Sequence, residues 1–176
     1  ALVHEALRAL QSFAAAHGGA LPRPWHAGDA DELAALTRSP DKRLARLLAA
    51  TCACGRLQPL GAFLGGVVAH EVLKAAAAQY TPLHQWLHIA VPEVCTGTPD
   101  DPAAVADHMP RSSSEGSSDE DEDAWLDAQA VCVGWSMLAR LAATRVFVVG
   151  AGAIGCELLK NFALMGVATA ERGRLT

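Results

Sequence analysis

At 176 residues, with 51% hydrophobic residues and a formal charge of −5, the chain has the size of one domain or slightly more and enough apolar material for a core. Aromatic residues make up only 5%, so the area buried per side chain is modest. Setting aside the six acids between Glu115 and Asp123 turns the net charge to +1, which leaves no basic patch to suggest a nucleic-acid partner. No continuous apolar run reaches the ~18–20 residues that cross a bilayer, so no membrane partner is expected.

The chain divides into four stretches. Residues 1–54 read as helices. Val3, Leu7, Leu10 and Phe13 recur at helical spacing until His17-Gly18-Gly19 ends the pattern. A proline-containing link, Leu21 to Trp25, follows. Asp29 with Glu32 has the spacing of a capping box for a helix through Leu33 and Leu36. Ser39-Pro40 offers an N-cap and an N1 proline to the next helix, which carries Leu44, Leu47 and Leu48. This stretch bears no chemistry of its own and is expected to be a helical packing module.

Residues 55–94 begin with Pro59-Leu60-Gly61-Ala62-Phe63-Leu64-Gly65-Gly66. A helix is expected to follow, with Leu64, Val68, Val72 and Ala75 on one face and Glu71 paired to Lys74. Gly65 and Gly66 at its head would permit a close backbone approach. Trp86 to Val91 alternates as a half-exposed strand does, ending at Pro92. His70, His84 and His88 lack a carboxylate or cysteine that would complete a metal set, so no metal site is expected.

Residues 95–123 read as a disordered linker: turn-rich from Thr96 to Pro102, then serine and acid from Arg111 to Asp123. Ser117 and Ser118 have acids three residues onward, a spacing that suits an acidophilic kinase.

Residues 124–176 contain the chemistry. Trp125 to Leu141 reads as a helical lead-in. Val146 to Val149 is a β-branched apolar run, as in a strand buried on both faces of a parallel sheet. It runs into Gly150-x-Gly152-x-x-Gly155 and then a helix with Ile154, Leu158 and Phe162 on one face, stopped at Gly166. Strand, glycine loop and helix in this order form a phosphate cradle, because the helix N-terminus offers unpaired N–H groups and the positive end of its dipole. The candidate nucleotide-binding residues are Gly150, Ala151, Gly152, Ala153, Ile154 and Gly155. A lone strand–loop–helix cannot bury its own sheet faces, so this part is expected to be marginally folded unless it docks on something.

The cysteines at 52, 54, 95, 132 and 156 form no CxxC pair, so neither a disulfide framework nor a zinc site is expected and a reducing, intracellular setting fits. The N-terminal segment lacks a signal-peptide layout. Cys156 sits at a helix start, where nucleophilic cysteines occur; a family resemblance carried by the residues around it implies instead that it belongs to the nucleotide turn, and it is assigned to packing.

The run Gly150 to Ala163, continuing through Leu164-Met165-Gly166-Val167, resembles the start of the active adenylation domain of ubiquitin-activating E1 enzymes. Pro59 to Lys74 and Pro82-Leu83-x-Gln85-Trp86-Leu87 resemble the end of that family's inactive adenylation half. The helices around Ala6–Phe13, Arg23-Pro24 and Asp31–Leu36 are similar to its four-helix-bundle insert. Trp125-Leu126-Asp127-Ala128-Gln129 stands where the family usually reads Arg-Tyr-Asp-Gly-Gln, keeping Asp127 and Gln129 only.

The resemblance implies an α/β fold: pieces of a Rossmann-like, ThiF-type adenylation fold behind an N-terminal helical segment. It implies that the C-terminal carboxylate of ubiquitin or a ubiquitin-like protein is adenylated with ATP and magnesium. A cysteine then takes the acyl group as a thioester and passes it to an E2 conjugating enzyme, in cytoplasm and nucleus. The family's magnesium ligands, phosphate-handling basic residues and catalytic cysteine fall beyond Thr176. A catalytic residue is therefore expected nowhere in this chain, which alone would be inactive. Two other readings remain: a piece of a nicotinamide-dependent Rossmann oxidoreductase, since the same glycines serve dinucleotides, or a non-catalytic scaffold derived from an E1-like gene.

Overall fold

The computed structural model describes residues 2–111 and 120–176, with the side chains of 120–124 left aside. Eight helices and two strands occur among the described residues: α1 (Leu2–Ala16), α2 (Ala27–Leu36), α3 (Arg43–Thr51), α4 (Gln58–Ala77), α5 (Pro102–His108), α6 (Glu120–Val133), α7 (Trp135–Ala142), β1 (Arg145–Val146), α8 (Ala153–Leu164) and β2 (Arg174–Leu175).

The first three helices pack on one another around Ala6, Ala9 and Phe13 of α1, Ala30 and Leu33 of α2, and Ala45 and Ala49 of α3. The expected stripe on α1 is therefore displaced. Alanines at the crossing let the helix axes come close, and Leu7 is left on the outside. A second core cluster joins Trp25, Ala50 and Val131. The indole N–H of Trp25 donates to the Val131 carbonyl at 2.8 Å, so the proline-containing link anchors α6 on the bundle.

Two helix starts differ from the sequence expectation. His26, not Asp29, caps α2: its Nδ1 accepts the Asp29 amide at 3.2 Å. Asp29 instead accepts the Arg23 backbone amide at 2.8 Å and the Arg23 guanidinium at 2.7 and 3.0 Å. Helix α3 begins at Arg43, past Pro40. Ser39 turns the chain by accepting the Asp41 amide, and Asp41 accepts the Arg43 amide.

Helix α4 starts at Gln58, so Gly65 and Gly66 lie inside it, and a Cβ at either would meet open space. The expected Glu71–Lys74 pair forms at 2.7 Å. Glu71 does more than the sequence suggests, because it also accepts the Leu83 amide at 2.6 Å and holds the following segment against the helix. None of α4 is buried, and Phe63, Val68, Val72 and Leu73 are exposed. By length and composition α4 is apolar enough to cross a membrane, which corrects the expectation that no segment is.

The strand expected over Trp86–Val91 does not form. Gln85 takes a positive φ of 70°, Trp86 is 78% exposed, and the stretch ends in a 3-10 turn at Pro92–Val94. A half-exposed strand needs a partner edge, and no strand among the described residues lies beside it. The linker expectation is also corrected in part. Asp101 caps α5 through the Ala103 amide at 2.9 Å, and His108 is buried. Ser117 and Ser118 lie outside the described residues.

The lead-in helix breaks at Gly134 into α6 and α7. Strands β1 and β2 pair in parallel, Arg145 with Arg174 and Val146 with Leu175, with α8 between them in the chain. The hydrogen bonds run past the paired residues, Thr176 N to Val146 O at 3.0 Å and Val148 N to Thr176 O at 2.7 Å. Of the expected α/β layout the described residues thus contain one parallel βαβ unit. Its faces are uncovered, with Phe147 76%, Val149 85% and Ile154 79% exposed where a buried strand and helix face were expected.

Candidate functional site

The glycine loop folds as its sequence requires. Gly150 has φ +89°, and Gly155 packs so closely that a side chain there would collide with the Gly150 carbonyl. The loop therefore closes tightly and sends α8 away from β1. A Cβ on Gly152 would meet open space, so the loop presents bare backbone outward at its middle glycine. The first helical hydrogen bond of α8 runs from Cys156 N to Gly152 O at 2.8 Å. The amides of the first turn, Ala153 to Gly155, have no partner within the helix. A concavity of about 430 Å³ lies at this turn, lined by Val148, Val149, Gly150, Gly152, Ala153, Ile154, Gly155 and Leu158. Of the predicted site residues, Ala151 alone is not among these lining residues.

The far end of α8 is fixed by a complete C-terminal cap. Gly166 N donates to Ala163 O at 3.1 Å and Val167 N to Phe162 O at 2.9 Å, as a Schellman motif requires and as the stop at Gly166 predicts. Sequence reasoning missed the tie between this end and α6. Gln129, only 4% exposed, donates its side-chain amide to the Leu164 carbonyl at 3.1 Å.

The concavity is lined by glycines and apolar side chains. The concavity lining holds no carboxylate, imidazole or thiol. Among the described residues no group of three His, Cys, Asp or Glu side chains is placed to hold an ion. No cysteine is among these lining residues. Burial pushes the Cys132 thiol up to about 12 and Cys52 up to about 11, and raises Cys95 and Cys54 as well. Cys156 is exposed, contrary to its assignment to packing, and its thiol lies 3.2 Å from the Ala151 carbonyl, close enough to donate to it.

Two stretches of the chain match two families. Residues 126–175 match the ThiF family, and residues 1–40 match the ubiquitin-activating enzyme E1 four-helix bundle. Ubiquitin-like modifier-activating enzyme 1 of Mus musculus is 36% identical over 190 residues, covering 99% of this chain. The chain belongs to the ubiquitin-activating E1 enzyme family. Ubiquitin-like modifier-activating enzyme 7 of Mus musculus is 34% identical over 99% of the chain. Ubiquitin-activating enzyme E1 1 of Schizosaccharomyces pombe is 36% identical over 98%. The chain spans 16% to 18% of the length of these relatives.

Within this E1-family chain, the elements described above fall in the matched regions: α1 and α2 in the four-helix-bundle match, the βαβ unit in the ThiF match.

Proposed function

We propose that this chain is a portion of an E1 enzyme that adenylates the C-terminal carboxylate of ubiquitin or a ubiquitin-like modifier. The observation that carries the reading is the Gly150–Gly155 loop. Its middle glycine is bare and its closing glycine packs on the Gly150 carbonyl, at the head of a helix inside the ThiF-matched region. Backbone N–H groups of Ala153, Ile154 and Gly155, with the α8 dipole behind them, would hold a phosphate of ATP. Gly150, Ala151 and Gly152 would shape the turn so that the backbone can approach it. ATP supplies the α-phosphate that the modifier's carboxylate attacks, and the loop contributes positioning and charge stabilisation without a proton relay.

In this reading residues 1–54 are the bundle segment and 55–94 the end of the inactive adenylation half. Residues 95–123 are the connection, and 124–176 start a Rossmann-like active adenylation domain. Magnesium ligands, the thioester cysteine and the E2 contact belong to parts of the enzyme other than this chain, whose setting is cytoplasm and nucleus. The uncovered apolar faces of α4, β1 and α8 agree with a chain that spans 16% of its relatives' length.

Two measurements on the chain test this. Incubated with ubiquitin, Mg-ATP and labelled pyrophosphate, it should give no ATP–pyrophosphate exchange; robust exchange would overturn the claim that it is incomplete. ATP should slow amide exchange in residues 150–156, and an unchanged loop at millimolar ATP would remove the nucleotide assignment.

A further inference from the structure

Helix α7 leads directly into β1, and its N-cap position is Gly134, which has no side chain to cap with. The missing cap comes from another element. Asp107 of α5 accepts the Ser136 amide at 2.9 Å through Oδ1 and the Ser136 hydroxyl at 2.6 Å through Oδ2. The arrangement requires glycine at 134, since φ is +83° and a Cβ there would collide with the Asp107 carboxylate.

Asp107 is itself held at both sides. Toward the bundle, Arg46 grips both oxygens of Asp100 at 2.6 Å, and His108 stacks on Trp25 with ring centroids 4.0 Å apart. Toward α6 and α7, Trp135 donates its indole N–H to the Met109 carbonyl at 3.0 Å. The Arg111 guanidinium lies 4.2 Å over the Trp135 ring, and the Arg111 amide donates to Asp127 at 2.8 Å. Residues 100–111 thus form a strap from α3 to α7.

The other end of α7 is bonded to the nucleotide unit. Leu141 O and Ala142 O accept the amides of Ala168 and Ala170, at 3.1 and 3.0 Å, in the connection from α8 to β2. Thr144 O accepts the Arg174 amide at 3.3 Å. Between Asp107 and the glycine loop, therefore, lies one short helix fixed at both ends.

We propose that Asp107 is a positioning residue for the glycine loop: a cap supplied from the strap that sets α7, and through α7 the paired strands β1 and β2. The assignment of function rests on the nucleotide reading of the loop, but the geometry can be tested without nucleotide. Amide hydrogen exchange by mass spectrometry on the 176-residue chain compares Asp107→Ala, Asp107→Asn and Ser136→Ala with the parent. Asp107→Ala should speed exchange about tenfold at 134–138, the size expected for a lost helix cap. A rise should also appear at Val148, Arg174 and Thr176, while α1–α3 stay unchanged. Asp107→Asn keeps an acceptor oxygen and should restore most of the protection; Ser136→Ala keeps the amide bond and should give an intermediate loss.

Unchanged exchange at Val148, Arg174 and Thr176 in Asp107→Ala would overturn the proposal, as would an equal rise in α1–α3. Protection of the loop by ATP is scored separately, so failure of the nucleotide reading and failure of the strap are distinguishable.

Discussion

Gln129 of α6 donates its buried side-chain amide across 3.1 Å to the carbonyl of Leu164, the last residue of α8. Two positions earlier Asp127, also buried, accepts the Arg111 amide at 2.8 Å. These are the two residues of Trp125-Leu126-Asp127-Ala128-Gln129 that match the E1 pattern. Both are committed to backbone groups, and an apolar residue at either place would remove that bond. Trp125, by contrast, is 37% exposed, and a change of side chain there removes no such bond.

Gln129→Leu should therefore destabilise the chain by about 1 kcal/mol, the net worth of one buried hydrogen bond. Urea denaturation followed by circular dichroism measures it, and amide exchange near Gly166 and Val167 should rise at the same time. A variant as stable as the parent would show that Leu164 finds water in place of Gln129.

The stack of His108 on Trp25 makes a second prediction. The His108 Nδ1 lies 2.8 Å from the Ala104 carbonyl, so it carries the proton, and the buried Nε2 has no partner among the described residues. His108→Phe keeps a ring against Trp25 and removes the orphan acceptor, so it should be at least as stable as the parent. His108→Ala opens a void beside Trp25 and should lose about 2 kcal/mol. If phenylalanine costs as much as alanine, the Nδ1 bond rather than the stack holds the strap.

The loop glycines should separate by mechanism. Gly155→Ala forces the turn open, because its Cβ meets the Gly150 carbonyl, and it should loosen amide exchange through residues 150–156 in the absence of any ligand. Gly152→Ala meets nothing in the free chain and should leave that exchange unchanged. It should instead blunt the slowing produced by ATP, since the methyl group stands where a phosphate must approach the backbone. Equal effects of the two substitutions on the ligand-free loop would refute the geometry.

The glycine turns were more legible in the sequence than the fold around them. Gly150, Gly155 and Gly166 act through local backbone geometry, which a short run of residues specifies. Trp86–Val91 has the alternation of a strand, but alternation reports only which side chains share a face. Whether a strand forms depends on a neighbouring edge that no residue in the run encodes. Val146 to Val149 failed in the same way, reading as buried while Phe147 and Val149 stand in solvent, because burial belongs to the covering layer. The strap over residues 100–111 was hidden for the opposite reason. Its turn-rich composition looks solvated, yet Asp100, Asp107 and His108 each find a partner far away in the sequence.

Acid titration should reveal the link between Arg23 and α2. The Arg23 guanidinium and backbone amide hold the Asp29 carboxyl well below the usual carboxylate range. A carboxylate with a depressed folded value contributes stability that is fully present above its unfolded value, about 4, and is lost as the pH falls toward the folded one. At pH 5 Asp29→Asn should therefore be less stable than the parent. Below about pH 4 the gap should close, because the parent must then protonate Asp29 on unfolding. Asp29 is largely covered while Arg23 is exposed, so the pair is partly screened and 1 M salt should shrink the difference at neutral pH. Thermal melts at pH 7, 5 and 3 with and without salt measure both effects. A gap that widens in acid would mean that the neutral carboxyl, not the ion pair, is what α2 requires.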